Sequence, residues 1–167
     1  MLDTALRSRC EQRLAQLPLP EPFTVERFRQ ALEAHRGRPL TIGAMPGLEL
    51  GEPSGVWIAT EVGDFVFVDQ TARPLHWEHI VLHELAHIIC DHLGAAAMSE
   101  GDAAALLPSL SREMVARVLG RTRYTQDEEQ EAELLATMIA QRVDRGDRRH
   151  DDPQVQAFRG RLRSTLG

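Results

Sequence analysis

Apolar and polar positions change rhythm along this chain, and each change marks an element. Residues 3–16 suit a short amphipathic helix. LPLPEP stops it, because proline lacks a backbone donor and restricts the residue before it. Thr24 caps a second helix over 25–36, with Val25, Phe28, Ala31 and Leu32 on one side and Gly37 closing it. The rhythm then turns to β. PLTIGAMP reads as a short strand, and GVWIAT and DFVFVD read as two strands joined by an EVGD hairpin turn. Their apolar, aromatic and β-branched content suits a small sheet with one face buried. QTARPLHWEH leads out of the sheet into a long helix over about 77–92, ending before Gly94.

Residues 94–110 are alanine-rich, with Gly94, Gly101 and Pro108, and read as loop. SREMVARVLG is a short helix with Ser111 as cap and Gly120 as stop. TQDEEQEAELLATMIAQRV opens with Thr125 and has Glu128 three positions on, the capping-box pattern of a helix start. No internal repeat or linker interrupts the pattern. The expected organisation is one domain over 1–167, with N-terminal helices at 3–36, a core at about 40–143 and a polar C-terminal tail at 144–167. The expected class is α+β, with a sheet of about three strands packed against a helical core.

Composition narrows the function classes. The chain has 167 residues, 43% hydrophobic and 26% charged, enough for a packed core and against global disorder. No apolar run reaches membrane-spanning length, and the charged N-terminus does not read as a secretory signal. Two distant cysteines, Cys10 and Cys90, make no disulfide framework, so a cytoplasmic location is expected. Net charge is −6 with no obvious basic face, which argues against direct nucleic-acid binding. The mixed-charge end of the chain reads as a solvated tail rather than a docking segment.

The chemistry concentrates in IVLHELAHIICDH, residues 80–92. Residues four apart lie one turn apart on one helix face, so His83 and His87 can aim two imidazoles at one point. Zinc accepts neutral imidazole nitrogens, and a catalytic site adds a third protein ligand and water. Glu84 lies beside that point, where it can take a proton from water. Leu85, Ile88 and Ile89 point elsewhere and can bury the helix. The bland alternative is a core helix whose histidines are merely satisfied.

The third ligand must come from another segment. In the HExxHxxGxxH pattern the later positions would be glycine and histidine, but here they are Cys90 and Leu93, with His92 one residue off. The helix after Thr125 is the better source. Glu129 shares a face with Ala132, Glu133, Ala136 and Ala140, and the alanines let this helix lie close to the histidine helix. Glu129 is the preferred ligand, with Glu133 orienting a histidine through its free ring nitrogen. Spacing separates these two glutamates only weakly. Glu128 and Glu131 read as first-turn acids favoured by the helix dipole.

HELAH followed about 40 residues later by EQEAELLA resembles the ImmA/IrrE-type metallopeptidases, over roughly residues 40–143. The resemblance implies a gluzincin-like core and a Zn2+ cofactor. It implies His83, His87 and Glu129 as ligands and Glu84 as general base or acid. It also implies a protein substrate, a helix-turn-helix repressor that such enzymes cleave or antagonise. This chain carries no evident helix-turn-helix segment and looks too short for the added sensor domain of some members. Leu135 stands where many members have phenylalanine, a packing change.

Four further residues have two readings each. His79, one turn before His83, could line the cleft, or be a polar residue near a helix start. Asp91 could accept a proton from the His87 ring, or favour a solvated helix end. Tyr124 could donate to an oxyanion, or pack at a loop. Cys90, one turn past His87, could be a ligand, but it lies about 10 Å along the helix from His83 and reads instead as a buried structural cysteine. Trp57 and Trp77 read as packing residues. DFVFVD is expected to offer a free edge for a substrate strand. The rival function is a regulatory binding protein stabilised by zinc, without turnover, or a toxin–antitoxin component.

Overall fold

The computed structural model describes residues 3–45, 54–60, 62–92 and 124–150, with side chains of the last helix described as far as 146. The expected loop at 94–110, the helix at 111–120 and the tail beyond 150 lie outside those residues. Among the described residues, four helices and a three-stranded mixed sheet form a small α+β fold. No helix among them is long and apolar enough to cross a membrane.

Capping residues set the first two helices. α1 spans Thr4–Gln16, and the Asp3 carboxylate accepts from the Ala5 N–H at 3.0 Å. α2 spans Val25–Arg36, where the Thr24 hydroxyl accepts from the Arg27 N–H at 3.1 Å. Gly37 ends α2 in the left-handed region at φ 63°, which glycine adopts without a Cβ penalty.

The strands are β1 (Leu40–Met45), β2 (Gly55–Ala59) and β3 (Asp64–Asp69). β2 and β3 form the expected hairpin, antiparallel with Trp57 opposite Val66. β1 pairs parallel with β3, Ile42 opposite Val66, giving the order β1-β3-β2. This corrects the expected role of DFVFVD. With a partner on each side, β3 is the central strand and has no free edge, and β2 is the edge strand beside the long helix. Asp64, buried at the start of β3, ties the sheet to α2. It accepts from Arg36, from Arg38 and from the Trp57 indole N–H. Arg38 also donates to the Thr60 carbonyl.

α3 spans Pro74–Cys90, starting earlier and stopping sooner than expected. Pro74 suits the first helical turn, where its missing N–H costs nothing. At the other end Asp91 takes the left-handed conformation at φ 58°, one that aspartate tolerates better than most residues. The His92 N–H then returns to the His87 carbonyl at 3.0 Å, so His92 leaves the helix and folds back over it.

α4 spans Gln126–His150. The capping box is formed in both directions: Thr125 N–H donates to Glu128 Oε2 at 2.8 Å, and Glu128 N–H donates to Thr125 Oγ1 at 3.2 Å. The helix continues seven residues past Val143, so the first part of the expected polar tail is helical. No proline falls in that stretch, and one glycine, Gly146, costs only about 1 kcal/mol.

The core joins all these elements. Val81, Leu85 and Ile88 of α3 meet Leu135 and Ile139 of α4, Val66 and Val68 of β3, and Phe28 and Leu32 of α2. Fully burying such a side chain is worth about 1.5–3 kcal/mol. Ala132 and Ala136 are wholly buried, whereas Ala140 is exposed. Trp57 is buried and Trp77 half-buried against the core.

Candidate metal centre

The close approach of α3 and α4 brings three donor atoms together. His83 Nε2 and His87 Nε2 are 3.1 Å apart. Glu129 Oε2 lies 3.2 Å from the first and 3.8 Å from the second. Ligand atoms held 2.0–2.1 Å from one ion at tetrahedral angles stand about 3.3–3.4 Å from each other. The donor set and its spacing could therefore hold a metal ion. His87 is fully buried, and burial together with the His83 and His92 rings pulls its pKa down to about 3. Its imidazole is thus neutral, the form that ligates.

Glu129 and Glu133 have distinct places. Glu133 Oε2 stands 3.3 Å from His83 Nδ1, the nitrogen turned away from the donor cluster, and 3.3 Å from His79 Nε2. His79 therefore belongs to the cleft and shares the Glu133 carboxylate with His83. Both glutamates are half-exposed.

Glu84 lies beside the cluster on the inner wall. Burial, reinforced by the Glu129 charge and only partly offset by a hydrogen bond from the Trp57 backbone, pushes its carboxyl up to about 8. Its Oε2 is buried and has no protein partner. A carboxyl oxygen left unpaired at that depth costs free energy unless something in the cleft meets it. Gly55 makes the approach possible, because a Cβ there would stand 2.6 Å from Ile80 Cγ2 and 2.9 Å from Glu84 Oε1.

Tyr124 stacks flat on the His87 ring, with centroids 3.6 Å apart and planes 11° from parallel. Its hydroxyl is buried and also has no protein partner. Burial and the Glu84, Glu129 and Glu128 carboxylates raise its pKa, so it stays a protonated donor. Tyr124, Glu84, His83 and Glu129 line one cleft of about 310 Å³, whose far wall is Ser54, Gly55 and Val56 at the edge of the sheet.

Asp91 is not brought to His87. Its left-handed backbone caps α3 and leaves the side chain exposed. The group that meets His87 is His92, whose Nδ1 lies 3.0 Å from His87 Nδ1. His92 Nε2 in turn lies 3.2 Å from Glu131 Oε2. Glu131, expected to be no more than a first-turn acid favoured by the helix dipole, instead has protein partners. Its side chain is 12% exposed and sits between His92 and two arginines of α1. Sequence reasoning missed this pair because its meaning depends on the chain reversal at Asp91 and the docking of α1. The one local signal was the Asp-His step after the apolar run, where aspartate could stop the helix early. Cys90 is buried, and burial pushes its thiol up to about 12, as suits a structural cysteine.

Compared with protein-family models, curated proteins and solved structures, the chain finds no match in any of the three.

Proposed function

We propose that this chain is a zinc-dependent metallo-endopeptidase of the ImmA/IrrE type, with a gluzincin-like core, acting in the cytoplasm on a helix-turn-helix repressor. One observation carries the reading: His83, His87 and Glu129 bring three donor atoms within 3.8 Å of one another, and Glu84, whose buried Oε2 has no protein partner, lines the same cleft. The motif pair HELAH and EQEAELLA supports the family assignment.

His83, His87 and Glu129 would hold zinc, which when bound brings the pKa of water near 7 and polarises a carbonyl. Glu84 takes the proton from the attacking water, and the same carboxyl returns it to the leaving amine. Burial raises the Glu84 carboxyl, the direction that favours its handing the proton on to the leaving amine. Tyr124 keeps its proton at this pH and is the donor available to the developing oxyanion. Among the described residues β2 is an edge strand, and its start lines the cleft, where its backbone groups would align an extended substrate as an added strand.

The test begins with elemental analysis of the wild type beside Glu129→Ala and Glu133→Ala. The reading requires one zinc per chain, lost in Glu129→Ala and retained in Glu133→Ala. Glu84→Gln should keep the metal and lose cleavage of a repressor. If Glu84→Gln retains the full regulatory effect, the metal only staples α3 to α4 and the protein acts by binding, without turnover.

A further inference from the structure

His87 offers its Nε2 to the donor cluster, and that places a demand on its other nitrogen. A neutral imidazole has one proton. If Nε2 carries the lone pair, the proton must be on Nδ1 and needs an acceptor. The neighbour of that atom is His92 Nδ1, at 3.0 Å. Two ring nitrogens at that distance share one hydrogen, so one must donate and the other accept.

The direction is decided one residue further on. His92 Nε2 faces the Glu131 carboxylate at 3.2 Å, and an ionised carboxylate only accepts. His92 therefore carries its proton on Nε2 and leaves Nδ1 as an acceptor. His87 then donates from Nδ1 and keeps its Nε2 lone pair for the cluster. In the reverse arrangement the His92 Nε2 lone pair would face a part-buried carboxylate, which is repulsive. Glu131 is fixed in turn by Arg9 Nε at 3.5 Å and Arg13 Nε at 3.6 Å, both from α1. The ring planes of His87 and His92 stand at 68°, and Tyr124 covers the outer face of His87.

We propose that His92 and Glu131, anchored by Arg9 and Arg13, are positioning residues that lock His87 in the tautomer able to ligate a metal through Nε2. The inference rests on the proposed metal site and adds to it a link from α1, outside the motif-bearing segments. It also assigns His92 and Glu131 against an alternative. With Cys90 they place donor atoms within 4.8 Å of one another and could be taken for a second metal site. Arg9 and Arg13 already balance the Glu131 charge there and would repel a cation. Burial also holds the Cys90 thiol protonated.

Histidine-selective long-range proton–nitrogen correlation on the full chain, before and after one equivalent of zinc, reads the tautomers directly. His92 should be protonated at Nε2 alone in both states, and His87 at Nδ1 alone. His92 protonated at Nδ1, or at both nitrogens, overturns the proposal. Chelator competition with zinc supplies a second readout. His92→Leu and Glu131→Leu should weaken zinc binding about 10–100-fold, still at one ion per chain. His92→Asn, whose Oδ1 can replace the Nδ1 acceptor, should recover most of that loss. Equal affinity in wild type and His92→Leu, or equal losses in the leucine and asparagine variants, would refute the lock. Two zinc ions per chain, one of them lost in Cys90→Ser, would instead establish the second metal site. A wild type that binds no zinc removes the metal reading, whereas the tautomer spectrum tests the lock in the metal-free chain. The spectrum also stands if a leucine variant fails to fold.

Discussion

His83 and His87 lie one turn apart on the same helix and present the same nitrogen to the same point, yet they stand in different media. His83 is 21% exposed, and its support, Glu133, is 54% exposed. His87 is wholly buried, and its support runs inward through His92 at 7% and Glu131 at 12%. On the outer side, water competes with every protein hydrogen bond and screens every charge, so each support is replaceable. On the inner side nothing replaces a lost partner, and an orphaned polar group carries its full desolvation cost. The cluster thus has a rigid inner half and an adaptable outer half. The adaptable half lies on the cleft, where the proposed substrate would enter and leave.

The largest test of this contrast removes each histidine. His83→Ala and His87→Ala should both reduce bound zinc from one ion per chain to none by elemental analysis. Only His87→Ala should also destabilise the metal-free protein, by about 2–4 kcal/mol in urea denaturation, because it opens a buried cavity under Tyr124. Equal losses of metal-free stability would erase the distinction between the halves.

Next comes Glu84, on the inner wall. Glu84→Gln should keep zinc and lower turnover about 10²–10⁴-fold, the usual contribution of a positioned acid–base group. It also changes how stability depends on pH. The Glu84 carboxyl is held up to about 8 in the folded protein, against 4.5 for an unperturbed glutamate. A raised carboxyl stabilises the fold while protonated, and that contribution is lost as pH rises from about 4.5 through about 8. Chelator-treated wild type should therefore lose more stability over that window than chelator-treated Glu84→Gln, as read from thermal midpoints.

Gly55→Ala pushes a methyl group against Ile80 and Glu84 and should cost about 1–3 kcal/mol, visible as a lower denaturation midpoint. Glu133→Ala acts on the exposed half and should weaken zinc binding less than tenfold, roughly the loss of one solvent-shared hydrogen bond. A loss as large as that of His92→Leu would mean the outer support is not replaceable. Smallest of all, Arg7→Ala breaks an exposed pair with Glu11 and should change stability by no more than about 0.5 kcal/mol.

Contacts within one turn of helix were readable before any fold was known. Thr24 and Gly37 bound α2, Thr125 and Glu128 open α4, and His83 and His87 share a face, because each depends on spacing along one regular element. The β2–β3 hairpin is legible for the same reason, since its strands are neighbours in sequence. The order of the sheet is not. That β1 closes the second edge of β3 depends on pairing across more than twenty residues, and it makes β1 and β2, not β3, the edge strands among the described residues.

The candidate metal centre divides along the same line. Residue types and helical period were enough to bring His83, Glu84 and His87 to one side of α3. Glu129 and Glu133 lie one turn apart on α4 with the same side chain, and only the docked position of that helix turns one toward Nε2 and the other toward Nδ1. His92 and Glu131 acquire their contacts through a left-handed Asp91 and a helix from the far end of the chain. Local periodicity encodes which face a side chain takes. Which side chain of another element meets that face is decided by packing in three dimensions, because that choice depends on excluded volume and burial summed over the whole core.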